Sequence, residues 1–141
     1  MDTKKIEQLN ILFASVYTLY LNTQSAHWQV KGPSFYSLHM LFEKEYQLIA
    51  LQIDSLAELL VMNDALVPAN FTDIIRLSAI ENFASTTNAS VLLTHLINGN
   101  EVVIKLITQM LESGYDENTN AILTDLLAYY EKEFWMLKAS K

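Results

Sequence analysis

Residues 34–63, SFYSLHMLFEKEYQLIALQIDSLAELLVMN, decide how the rest of the chain is read. They contain no proline or glycine, and apolar side chains recur at helical intervals at Leu38, Leu41, Phe42, Leu48, Ile49, Ile53, Leu56 and Leu60. The spacing predicts one long helix from Ser34 or Phe35 to about Asn63. With about 100° of turn per residue and His39 set at zero, Glu43 falls near 40°, Asp54 near 60° and Glu58 near 100°, all on one stripe. Leu41, Phe42, Leu48, Ile49, Ile53, Leu56 and Leu60 occupy roughly 180° to 320°, an arc expected to face the subunit's own core.

Two imidazoles and two carboxylates suit a transition metal such as iron. At about 1.5 Å of rise per residue, however, His39 stands on the order of 22 Å from Asp54 and 28 Å from Glu58 along the axis, too far for one ion. His27 belongs to an earlier helical segment that stops at Lys31-Gly32-Pro33-Ser34, where glycine and proline end one helix and Ser34 can cap the next. The two helices are therefore expected to be antiparallel neighbours. His27 precedes Gly32 by five residues and His39 follows it by seven, so the imidazoles reach similar heights on the hairpin and form half a site. Asp54 and Glu58, one turn apart, form the other half far down the helix. A two-fold axis between antiparallel long helices would set the histidines of one chain opposite the carboxylates of another, giving two equivalent sites per dimer.

Taken singly, each polar residue on such a stripe reads as a solvated face. The joint pattern argues otherwise, because two of the three histidines match across one turn. His95, inside Leu92-Leu93-Thr94-His95-Leu96, has no such partner and reads as structural.

A chain of 141 residues suits one domain spanning 1–141, large enough for a single core. With 51% hydrophobic residues, three glycines and two prolines, it has too few turn formers for a sheet-rich fold. The absence of cysteine excludes disulfides, thiolate metal sites and cysteine catalysis, and fits a reducing cytoplasm. The start resembles a signal peptide in outline, but Ser15, Thr18 and Asn22 and the lack of a small-residue cleavage site favour an amphipathic helix. No stretch is expected to be long and apolar enough to span a membrane.

Four long helices and one short one are expected: about Lys4 to Val30, the 34–63 helix, a short helix from near Thr72 after Pro68 and Asn70, about Asn88 to Ser113 stopping at Gly114, and about Thr119 to Ala139. A capping box is read at Ser78 and Glu81. The predicted fold class is all-α, a ferritin-like four-helix bundle with a short extra helix in the crossover between helices 2 and 3. Such bundles often hold metals inside one subunit with Glu-x-x-His motifs. None occurs here, since Gln24, Tyr36 and Leu92 stand three residues before the histidines. By elimination a site between subunits gains weight.

The run His27-Trp28-x-Val30-x-Gly32, then Phe35, Leu38-His39, Phe42-Glu43 and Asp54-x-x-Ala57-Glu58, resembles the signature of the Dps family, the miniferritins called DNA-binding proteins from starved cells. The end, Glu131-Lys132-x-x-Trp135-Met136-Leu137-Lys138-Ala139, resembles that family's closing helix. The resemblance covers nearly the whole chain. It implies hollow shells of twelve subunits, with ferroxidase sites at two-fold interfaces in which His27 and His39 face Asp54 and Glu58 of a neighbour. It also implies that Glu43, where the family more often has aspartate, lies beside the histidines, and that Trp28 stands close to the iron, although an isolated tryptophan would read as core packing. The implied chemistry is oxidation of Fe(II), two irons per site, by hydrogen peroxide, with ferric mineral stored in the shell, protection against oxidative damage, and a bacterial cytoplasmic setting.

In that family carboxylates line three-fold pores near the start of the last helix, where Asp116, Glu117 and Asp125 stand here; carboxylate rings concentrate cations, although acidic residues near a helix N-terminus are common for dipole reasons alone. Ala121 stands where relatives often carry aspartate, Leu59 where they usually have arginine, and Asn63-Asp64 replace a usual Leu-Gly. The competing functions are DNA compaction and a shell with an idle iron site. Against DNA binding, the N-terminal extension offers only Lys4 and Lys5, the C-terminus only Lys138 and Lys141, arginine occurs once as Arg76, and the net charge is −7 per chain.

Overall fold

Helix boundaries follow from caps and turn residues. In the computed structural model, which describes all 141 residues, the Asp2 carboxylate accepts the Lys5 N–H at 2.9 Å and opens α1, Thr3–Gln29. Gly32, at φ 122°, makes the turn that only glycine adopts easily, and α2 runs over Phe35–Met62. Asn70 accepts from Asp73 N at the start of α3, Phe71–Leu77, and Asn88 accepts from Val91 N at the start of α4, Ala89–Ser113. After Gly114 comes α5, Glu117–Ala139. The chain is an all-α four-helix bundle with the short α3 in its long crossover, as expected.

Three local readings are corrected. Ser34 sits at the α2 N-cap but makes no side-chain cap bond there. Ser78 lies at the end of α3, where its hydroxyl donates to Ile80 O; no helix follows, so it and Glu81 form no capping box. Leu48 is 36% exposed and does not belong to the subunit core. Leu59, by contrast, is buried in the subunit's own core, which confines the consequence of that departure to the inside of the bundle.

α1 packs on α2, and α4 on α5, while α1 also touches α4 and α3. Phe13, Phe42, Leu56, Leu92, Ile107 and Tyr130 are among the fully buried side chains of one continuous core. The expectation that no segment could cross a membrane is corrected for α4, where an 18-residue window reaches mean hydropathy 1.2. That helix is apolar because its buried stripe, Leu92, Leu93, Leu96, Val103, Ile107 and Met110, lies in the bundle core.

The contact between α2 and α5 is sparser than those of α1 with α2 and of α4 with α5, and polar groups occupy it. Glu45 and Glu133 are buried there, each with one carboxyl oxygen lacking a partner. Tyr129 donates to Glu45 O at 3.4 Å and Tyr130 donates to the Gln52 side chain. Burial pushes the Glu45 carboxyl well above the ordinary carboxylate range; its hydrogen bond with Glu133 and the Glu133 charge push the same way, against a weaker pull from Lys44. Burial and the same two acids also push the phenols of Tyr129 and Tyr130 upward.

Two predictions arise from this packing. A carboxyl whose folded pKa is raised favours folding while protonated and loses that contribution as pH climbs through the raised value. Glu45→Gln, which keeps the shape, is therefore expected to melt higher than wild type at pH 8 by a few °C, the shift that about 1 kcal/mol produces in a chain of this size, with the difference shrinking toward pH 4. Asp64 closes α2 at φ 58°, while Ala65 N donates to Leu60 O at 3.0 Å. Asp64→Gly relieves a left-handed conformation and is expected to stabilise by about 0.5–1 kcal/mol, read from a denaturant midpoint.

Candidate metal centre

The site begins with a chain that leaves its helix early. Val30 N still donates to Ala26 O at 3.1 Å, but Lys31 N turns away and donates to Thr87 O at 3.0 Å, just before α4. The carbonyl of His27 therefore lies among those that a helix end leaves without a helical donor. His39 supplies the missing donor, its Nδ1 standing 2.6 Å from His27 O. The exchange is reciprocal, because His27 Nδ1 stands 2.7 Å from His39 O.

A carbonyl oxygen only accepts, so these partners assign the hydrogen to Nδ1 on both rings. In the neutral imidazoles each Nε2 keeps its lone pair. The two rings stack at 3.8 Å and 12°, Phe35 stacks on the outer face of His39 at 4.9 Å, and Tyr46 leans on His27 at 5.3 Å. His27 is buried and His39 half-buried. A carbonyl held by the other ring nitrogen fixes the tautomer and orientation that a metal-binding imidazole needs.

Asp54 and Glu58 lie exposed on the lower half of α2, and Glu43 is half-buried two residues from Glu45. No three His, Asp or Glu side chains of the chain come together in metal-binding geometry. The structure thus brings together only His27 and His39 of the sequence-derived set. Around the carboxylates the surface is apolar: Ala57, Glu58, Val61 and Met62 line one shallow cavity, with Val61 60% and Met62 71% exposed. Trp28 is 62% exposed, which overturns the core-packing alternative for that residue. His95 stacks on Phe83 at 4.2 Å with an interplanar angle of 2°, a structural role as expected.

The acidic residues near α5 do not form one cluster within the chain. Asp116 and Glu117 are exposed at its start, Asp116 lining a cavity with Lys5, Asn63 and Tyr115. Asp125 lines a different cavity, with Leu51, Gln52 and Tyr129. Ala121 is exposed between them. Burial, with the Asp2 charge beside it, pushes the Tyr115 phenol up to about 12, against a weaker opposing hydrogen bond with Ser113.

A family model described as a ferritin-like domain matches residues 6–140. The solved Dps protein of Vibrio cholerae O1 superposes on the chain with a TM-score of 0.91 and 29% identity, covering 96% of this chain and 87% of that one. The chain is a ferritin-like protein of the Dps family. Its Dps-family relatives include DNA protection during starvation protein 2 of Bacillus anthracis, 29% identical over 99% of this chain and 97% of that protein. Antigen TpF1 of Treponema pallidum (strain Nichols) is 30% identical over 95% of this chain and 78% of that protein. In this miniferritin the histidine pair is legible in the residue spacing, whereas the carbonyl exchange that aims it is not. The Glu45–Glu133 pair is likewise not legible from spacing, although Glu45 lies near 240° on the α2 wheel, inside the apolar arc.

Removing the donor at position 39 tests the exchange independently of any metal. His39→Ala leaves the His27 carbonyl without its partner and is expected to cost about 1–3 kcal/mol. The check is a denaturant midpoint, together with faster amide exchange at residues 31–38.

Proposed function

We propose that this chain is the subunit of an iron-storing ferroxidase shell, in which His27 and His39 of one subunit and Asp54 and Glu58 of its two-fold partner hold the iron substrate. One observation carries the reading: both Nδ1 atoms are committed to carbonyl oxygens, which leaves the Nε2 lone pair of each stacked imidazole free to bind a metal. Two imidazoles alone are an incomplete site for ferrous iron, which also takes hard carboxylate ligands. Beyond Glu43, the exposed acids on the same stripe are Asp54 and Glu58, which lie too far down α2 to reach the imidazoles of their own chain and are presented by a second copy. The exposed apolar side chains beside them, Leu51 at 68%, Val61 and Met62, favour coverage by another subunit.

In this reading the carboxylates neutralise the charge that grows as Fe(II) becomes Fe(III), and Glu43 lies within reach of a second iron. Two ferrous ions give two electrons to one hydrogen peroxide, which with two protons yields two waters. Trp28 lies at the rim of the site. Asp116, Glu117 and Asp125 are assigned to cation entry, which requires that neighbouring subunits bring them together, and a twelve-subunit shell supplies such junctions. The work belongs in a bacterial cytoplasm, limiting oxidative damage by removing ferrous iron and peroxide together. A net charge of −7 per chain argues against direct DNA compaction, because phosphate binding needs clustered cations.

A complementation experiment tests the shared site. One variant carries His27→Ala with His39→Ala and the other Asp54→Ala with Glu58→Ala; each alone is expected to lose His27-dependent ferrous oxidation. When the two are unfolded together and reassembled in equal amounts, half of the dimers are mixed. Each mixed dimer holds one intact site and one doubly defective site, so activity should return to about a quarter of wild type. The reassembled particle is expected at about 190 kDa, twelve chains of 16.1 kDa. No recovery in a particle of that mass would rule out the shared site.

A further inference from the structure

The aromatic side chains of α1 and α2 form a continuous line that starts at the imidazoles. From His27 the ring of Tyr46 is 5.3 Å away, then Tyr20 at 6.0 Å, then Tyr17 at 5.9 Å, and the line ends on Phe13 at 5.9 Å. It crosses from α2 to α1 and then climbs α1 away from the hairpin. We propose that Tyr46, Tyr20 and Tyr17 form a relay that draws one-electron oxidising equivalents out of the iron site. The inference rests on the ferroxidase reading above.

The hydroxyls distinguish a relay from packing. Four of the seven tyrosines lie outside the line: Tyr115, Tyr129 and Tyr130 each donate to a group on another helix, and Tyr36 is 74% exposed. In the line, Tyr20 only accepts from Gln24 of its own helix, at 3.4 Å, and no protein hydrogen bond holds the hydroxyl of Tyr17 or Tyr46. Phenylalanine would pack as well at all three positions. What phenylalanine lacks is an oxidisable phenol, and the line stops as a redox path where Phe13 replaces one. All three tyrosines are only partly buried, so their phenols can exchange protons with water. Tyr17 opens on a surface cavity of about 350 Å³ with Ala69, Asn70, Phe71 and Ile74, where a reductant can approach.

The relay matters when only one iron is bound as peroxide arrives. One ferrous ion then gives one electron, the O–O bond breaks, and the products are ferric iron, hydroxide and a hydroxyl radical. The radical takes a hydrogen atom from the Tyr46 phenol and becomes water. Tyr46 recovers an electron and a proton from Tyr20, and Tyr20 from Tyr17. A further ferrous ion reduces the Tyr17 phenoxyl, with a proton from water. The sum is again two ferrous ions oxidised, one peroxide reduced to two waters and two protons consumed, with no radical released.

The test mixes the assembled protein with less than one Fe(II) per site and excess hydrogen peroxide, freezes it on the millisecond scale and records electron paramagnetic resonance with and without ring-deuterated tyrosine. Peptide mass spectrometry then locates oxidised side chains. Wild type is expected to give a tyrosyl signal that narrows on deuteration, with oxidation at Tyr17. Tyr46→Phe should lose the Tyr17 oxidation and shift damage to Trp28, Tyr17→Phe should leave the radical on Tyr20 and Tyr46, and Tyr36→Phe should match wild type. Intact His27-dependent iron oxidation with damage confined to Trp28, or Tyr17 oxidation that survives Tyr46→Phe, overturns the relay alone. Iron oxidation that does not depend on His27 overturns the ferroxidase reading and the relay with it.

Discussion

Two imidazole-to-carbonyl hydrogen bonds join the end of α1 to the beginning of α2, and the rest of the site depends on them. Each histidine donates to the carbonyl of the other, and the His39 ring cannot turn without leaving the His27 carbonyl unpartnered. The exchange is possible because Lys31 N gives its hydrogen bond to Thr87 instead of continuing the helix, which in turn pins the start of α4 against the hairpin. Val30 makes that departure with a ψ of 137°, and Gly32 then turns the chain toward α2 through a positive φ. Helix end, freed carbonyl, fixed tautomer and available lone pair thus form one causal sequence running from the backbone at Val30 and Lys31 to the two imidazoles.

α2 serves three purposes on three arcs of one cylinder. Its buried arc, with Phe42, Ile49, Leu56 and Leu60, holds the bundle together. Its N-terminal half carries His39 against α1. Its C-terminal half presents Asp54 and Glu58 outward among exposed apolar side chains, an arrangement whose hydration is unfavourable until another surface covers it. A residue pair such as Glu45 and Glu133 is a cost inside the subunit, since burial and their mutual charge outweigh the pull of Lys44 on Glu45 and each acid keeps an unpartnered carboxyl oxygen. Their burial is tolerated where α2 and α5 touch sparsely, with Tyr129, Tyr130 and Gln52 filling the space between.

The fold was legible because its determinants are local. Breaks at Gly32 and Gly114 and apolar stripes with helical period specify the long helices without reference to anything distant. The matching heights of His27 and His39 were legible for the same reason, being fixed by residue counts on either side of one turn. What remained hidden is non-local. Leu48 fits the apolar arc by angle, yet no neighbouring helix covers it, and angle alone does not say where neighbours end. The His27 carbonyl is freed by a bond to Thr87, far along the chain, which no periodicity encodes. The Ser78 reading failed because a cap signature has no meaning without a helix after it, and the segment past Ile80 runs extended to reach Asn88.

The proposed role of the aromatic line follows from the proposed division of the iron site between two subunits. A site built between subunits can fill one half before the other, so an iron held alone is an ordinary state of assembly rather than an accident. One-electron chemistry then needs an outlet within the subunit that holds the histidines, since the partner's contribution is only carboxylate. Tyr46 stands seven residues after His39, about two turns up the same helix, and leans back on His27. From there the path into α1 is the only continuous aromatic one, because Phe35, on the other side of His39, carries no phenol. In that proposal, leaving the carboxylates to a neighbour also fixes the side on which stray oxidising equivalents leave.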